Sequence, residues 1–137
     1  MNAESKAAHT RHPLVLVAEE DDDLRRTLAE ALERDGYRVV DVEDGLELLD
    51  YLELTELFPG KLERPALIVS NLELKGCGGI EACRLVAYHR PAPPFLLLAA
   101  DADGAVRRDA LNAGVVEVLG DPSATRELLD AVAQIIP

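Results

Sequence analysis

Carboxylates are the side chains best placed to do chemistry in this chain, and they gather just past its apolar runs. LVLVA (14–18) is followed by EEDDD (19–23), FLLLAA (95–100) by DADG (101–104), and VVEVL (115–119) by GDPSA (120–124). The run ALIVS (66–70) departs from this pattern, because it leads into a neutral amide, Asn71, and only then into Glu73. Oxygen ligands of this kind suit hard cations, while their charge repels phosphate. The hydroxyls Thr10, Thr27, Thr55, Ser70, Ser123 and Thr125 have no histidine at a recognisable partner position, so no nucleophile–base–orienter set is present and a non-enzyme is expected. Cys77 and Cys83 lie six apart, which fits neither a redox pair nor a zinc knuckle and predicts reduced packing residues. His9 and His12 stand in a polar leader and His89 is remote in sequence, so a histidine metal site is not expected.

The apolar runs predict the elements that position these groups. The four above and RVVDV (38–42) read as five strands, apolar on both faces as in a parallel sheet covered by helices; RVVDV alternates more and suits an edge. Helical spacing links them. Leu24, Leu28, Ala31 and Leu32 share one face, with Gly36 as a left-handed stop, and a second helix carries Leu46, Leu49 and Leu52 up to Pro59-Gly60. A third spans about Ile80 to Tyr88, a fourth about Gly104 to Asn112 with Gly114 as its cap, and a fifth follows Pro122 with Ser123 as its cap. Strict alternation of strands and helices with right-handed crossovers predicts an α/β, doubly wound sheet. Ligand sites in such sheets lie beyond the carboxyl ends of the strands, where the carboxylates and Asn71 fall.

A chain of 137 residues suits one domain, read as residues 13–137 behind a flexible leader over 1–12. A formal net charge of −12 argues against nucleic acid and anionic lipid as partners; the doublets Arg25-Arg26 and Arg107-Arg108 read as solvated helix faces. No stretch approaches the roughly 18 apolar residues of a membrane span and the leader has no apolar core, which predicts a cytoplasmic protein.

In order and spacing, LVLVAEEDDDLRRTLAEALERDGYRVV, EDGLELL, PALIVSNLELKGCGGIE and ALNAGVVEVLGDP together resemble the receiver domain of bacterial response regulators, over about His12 to Ile136. The resemblance implies a flavodoxin-like fold of five strands in the order 2-1-3-4-5 with five helices. In that family two acidic residues hold Mg²⁺, an aspartate ending the third strand is phosphorylated, and a hydroxyl residue and a lysine contact the phosphoryl group. Residue by residue, the resemblance sets Glu19 and Glu20 on the acidic pair, Asn71 on the phosphoacceptor, Ala99 on the hydroxyl residue and Asp121 on the lysine. Val118 falls where an aromatic residue usually serves the output switch, Lys75 replaces a common loop proline, and the stretch from Gly45 to Pro65 is about half a dozen residues longer than usual for the family.

These departures imply a degenerate pseudo-receiver. An amide at 71 lacks the anionic oxygen that attacks phosphorus, Asp121 reverses the charge that would stabilise transfer, and Ala99 and Val118 lack the groups that would read it out. The Asn71 amide is expected to donate to Glu20 or Asp121 and ease carboxylate crowding. The expected role is a phosphorylation-independent protein–protein interaction or signalling module, without cofactor, that binds another signalling protein or itself through its C-terminal helix–strand–helix face. Three alternatives stand beside it. One is a phospho-switch using Asp101 or Glu73 with Lys75 as the cation. Another is a Mg²⁺ or Ca²⁺ site with Glu19 and Glu20 as candidate ligands beside the Asn71 carbonyl and Asp121. A flavodoxin-type cofactor binder is disfavoured, because EEDDD would repel its phosphate.

Overall fold

The computed structural model describes residues 12–121 and 123–136. Residues 1–11 of the expected leader, with His9 and Thr10, and Pro122 before the fifth helix lie outside the described residues. Each apolar run becomes a strand: β1 (Leu14–Ala18), β2 (Arg38–Val42), β3 (Leu67–Asn71), β4 (Phe95–Leu98) and β5 (Glu117–Leu119). All pair in parallel, in the order β2-β1-β3-β4-β5. The helices are α1 (Asp22–Arg34), α2 (Gly45–Leu57), α3 (Gly79–Val86), α4 (Gly104–Ala113) and α5 (Thr125–Ile135).

Successive strand side chains point to opposite faces, and here both faces are covered. Leu16, Ile68, Phe95 and Leu97 pack with Leu48 and Leu52 of α2, Ala82, Cys83 and Val86 of α3, and Ala110 of α4. Val15, Val17, Val69, Leu96 and Leu98 pack with Leu28 and Leu32 of α1 and Leu128 and Val132 of α5. Each fully buried leucine contributes about 1.5–3 kcal/mol, so this three-layer packing holds the strand tips, and whatever they carry, in fixed register. β2 is an edge and is only partly buried, as its alternating sequence implies.

Three aspartates start helices by accepting from a backbone N–H three residues on: Asp21 from Leu24 (2.8 Å), Asp44 from Glu47 (2.9 Å) and Asp103 from Val106 (2.9 Å). α4 ends on Gly114 at φ 110°, the left-handed closure its sequence predicts. β3 runs one residue further, to Asn71, and β5 starts only at Glu117; three further ends differ from expectation. β4 stops at Leu98, leaving Ala99 as the first loop residue, its N–H donating to Leu119 O at 2.8 Å. α3 stops at Val86, because Tyr88 N–H and His89 N–H bond back only three residues, to Leu85 O and Val86 O. Ser123 does not cap α5: Ala124 holds that position without a side-chain bond, and the Ser123 hydroxyl donates instead to Asp121 Oδ1 at 2.8 Å, a charged and stronger acceptor. Among the described residues no helix is long and apolar enough to cross a membrane.

Candidate functional site

β1 and β3 are neighbours, and their carboxyl ends carry Glu19 and Asn71 to the same point. Glu19 follows directly on β1, is bonded through its N–H to Val42 O (3.1 Å), and is only 2% exposed. Asn71 is the last residue of β3. Its Nδ2 donates to Glu19 Oε1 at 2.6 Å, Glu19 Oε2 accepts from Asp21 N–H at 3.0 Å, and Asn71 Oδ1 accepts from Glu73 N–H at 3.2 Å. A backbone N–H on one side and a carboxylate on the other determine which end of the amide points where. The buried carboxylate is thus met by donors on both oxygens, which offsets its cost of leaving water.

The partner of Asn71 is therefore Glu19, not the expected Glu20 or Asp121. Glu20 is exposed, and Asp121 lies beyond β5, two strands from β3. Residues outside the expected set complete the arrangement. Arg25 donates from Nη1 to Glu19 O at 2.9 Å and pairs with Asp22 and Asp41. At Gly79 a Cβ would sit 2.4 Å from Asn71 O, so only glycine lets α3 start against the end of β3. The glycine signal was visible in the KGCGG stretch; the Arg25 contact depends on how α1 is oriented and left no mark in the spacing.

The β4–β5 side of the same edge is different. Ala99 is buried beside a cleft of about 410 Å³ lined by Asn71, Glu73, Ala99, Asp101 and Val106. Val118 is half-buried opposite Leu97 in the β4–β5 pairing, and its carbonyl accepts a long 3.4 Å bond from Arg107. Asp121 is exposed, and the Ser123 hydroxyl and N–H hold its carboxyl below the usual carboxylate range. Glu19 and Asn71 are brought together; among the described residues neither is hydrogen-bonded or ion-paired to the side chain of Glu20, Ala99, Val118 or Asp121. A second hollow, about 560 Å³, is formed by Thr55 and residues 59–64; of its charged groups Glu63 pairs with Arg38 and Arg64 with Glu56.

The donor chemistry does not fit the Mg²⁺ that the family resemblance implies. An N–H points at Glu19 where a cation would need a lone pair, and the second carboxylate oxygen is taken by Asp21. Among the described residues no three Cys, His, Asp or Glu side chains are grouped to hold a metal ion. Cys77 and Cys83 are free and buried, and burial pushes the Cys83 thiol up to about 11, so neither is a reactive thiolate near neutral pH.

The comparisons with known proteins agree with this architecture. The chain is 31% identical over 116 residues to an alkaline phosphatase synthesis transcriptional regulatory protein, SphR, of Synechococcus elongatus, covering 84% of this chain and 45% of that protein. It is 31% identical over 119 residues to the transcriptional regulatory protein PdtaR of Mycobacterium tuberculosis, covering 86% and 54%. The chain thus spans about half the length of these relatives. Among solved structures, the chemotaxis response regulator CheY4 of Vibrio cholerae superposes with a TM-score of 0.77 at 20% identity, over 90% of this chain and 98% of that one. A BeF3-activated receiver domain of DrrB gives 0.76 at 21% identity, over 91% and 97%; at these identities both show the fold alone. The response regulator receiver domain model matches residues 15–133, which include all five strands and the Glu19–Asn71 pair apart from the first residue of β1. Fold, extent of match and relatives converge: the chain belongs to the response regulator receiver domain family.

Proposed function

We propose that this receiver domain is a pseudo-receiver, a phosphorylation-independent module for protein–protein interaction with no enzymatic activity of its own. The observation that carries the reading is the 2.6 Å hydrogen bond from Asn71 Nδ2 to Glu19 Oε1. An amide at the phosphoacceptor position cannot supply the anionic oxygen that forms an acyl phosphate, and here it is engaged as a donor. With Ala99 and Val118 at the hydroxyl and switch positions, and Asp121 at the lysine position, charge stabilisation and readout are absent together. The static network replaces the switched one. The face formed by α4, β5 and α5 is the surface for a signalling partner or a second copy: Leu111 on α4 is 57% exposed and Val116, just before β5, is 49% exposed. Nucleic acid and membranes are not partners of a chain at net −12.

The test is intact-mass analysis after incubation with Mg²⁺ and acetyl phosphate, beside the Asn71→Asp variant. No added phosphoryl group on the natural protein is expected. A modified natural protein overturns the reading; Asp101 and Glu73, which line the cleft with Asn71, are then the carboxylates to examine for the alternative phospho-switch.

A further inference from the structure

Four arginines of the described residues have carboxylate partners. Arg25 pairs with Asp22 (2.6 Å), Arg26 with Asp23 (3.3 Å), Arg38 with Glu63 (2.7 Å) and Arg64 with Glu56 (3.6 Å). Arg84 and Arg90 are exposed and make no ion pair among the described residues, although Glu81 lies one turn back on α3 and Asp109 lies on α4. They meet at one hollow of about 340 Å³ between the carboxyl ends of α3 and α4, which they line with Ala87, Tyr88, Asn112 and Ala113. Tyr88 is 82% exposed, and Leu85, one turn before it, is 40% exposed. Of the other described cations without an ion pair, Arg34, Lys61, Lys75 and Arg126 stand apart on separate segments, and in the Arg107–Arg108 doublet on α4, Arg107 donates to Val118 O.

We propose that this hollow docks an acidic segment of a partner protein, its carboxylates held by Arg84 and Arg90 and its backbone laid across Tyr88. The guanidinium is a planar fork matched to a carboxylate, and tyrosine and arginine are the side chains that anchor interfaces. Charge complementarity selects the occupant. The chain as a whole, at net −12, repels an acidic segment, so such a segment is favoured where two unpaired arginines line one hollow. A nucleic acid would have to run its remaining phosphates along that same negative surface, which a short peptide avoids. The surface is separate from the Glu19–Asn71 edge, so it stands or falls independently of the phosphate chemistry.

The experiment is a fluorescence anisotropy titration of the full chain against a fluorescein-labelled glutamate-rich peptide, with amide chemical-shift mapping of the complex. Binding is expected to perturb residues 84–90 and 112–114, and the Arg84→Glu/Arg90→Glu double variant should bind about tenfold or more weakly. Tyr88→Ala should weaken it as well. Circular dichroism checks the fold; if the double charge reversal unfolds, Arg84→Gln/Arg90→Gln is read in its place. Absent binding, shifts confined to other surfaces, or a double variant that binds like the natural chain overturns the proposal. Tighter binding of an RNA oligonucleotide of equal charge, or self-association through these residues in sedimentation, assigns another occupant and also overturns it.

Discussion

The two halves of the sheet's carboxyl edge are built on opposite plans. At β1 and β3, side chains from different elements hold one another: Asn71 holds Glu19, Glu19 holds the Asp21 N–H, and Asn71 in turn receives Glu73. At β4 and β5, Ala99 offers no polar atom beyond the backbone, and among the described residues the Asp121 carboxylate accepts only from Ser123, two residues away. A signalling pocket needs both a place where charge changes and a neighbour that moves in response. Here one half is tied by side-chain hydrogen bonds and the other is not, which is the contrast on which the proposed non-switching role rests.

The contrast predicts a graded set of responses. Gly79→Ala should be the most damaging, by about 3 kcal/mol, because its Cβ meets Asn71 O at 2.4 Å and Leu97 Cδ1 at 2.8 Å; urea unfolding measures it, and a neutral result would mean the tied half is pliable. Asn71→Asp comes next, with a loss of about 2 kcal/mol at neutral pH, since a second carboxylate would face Glu19. The pair must then share a raised pKa, so the variant's stability should fall as pH rises through that value and recover on acidification. A variant as stable as the natural protein at every pH would erase the distinction between the halves. Ala99→Thr, on the β4–β5 side with the 410 Å³ cleft beside it, should cost less than about 1 kcal/mol by the same assay. Asp121→Ala should change least. Because hydrogen bonds hold the Asp121 carboxyl low, its small contribution is present above the ordinary carboxylate range and is lost as pH falls through the depressed value, so melting curves of variant and natural chain should converge in acid.

The sheet was largely legible in the sequence because buried parallel strands announce themselves as apolar runs, and the helix stops at Gly36 and Gly114 because both take positive φ (99° and 110°). Boundaries were harder: nothing in FLLLAA distinguishes Leu98, still in the ladder, from Ala99, which has left it. That Glu19 and Asn71 fall at the carboxyl edge of the sheet was readable, but their pairing was not. Glu19 and Glu20 are chemically alike and adjacent; the path of the chain as it leaves β1 puts Glu19 inward and Glu20 in water, and only the folded backbone decides that. Ser123 shows the same limit, since cap and Asp121 compete for one hydroxyl.

The Glu19–Asn71 bond also bears on how long the domain stays folded. It joins residues 52 positions apart and can form only once β1 and β3 have docked and the carboxylate has been desolvated. A contact of that kind is expected to form after the rate-limiting barrier to folding, which stopped-flow folding and unfolding rates of an Asn71 variant would check. Its loss should therefore leave the folding rate nearly unchanged and speed unfolding, so that the amide which ends β3 acts as a kinetic latch on the assembled sheet.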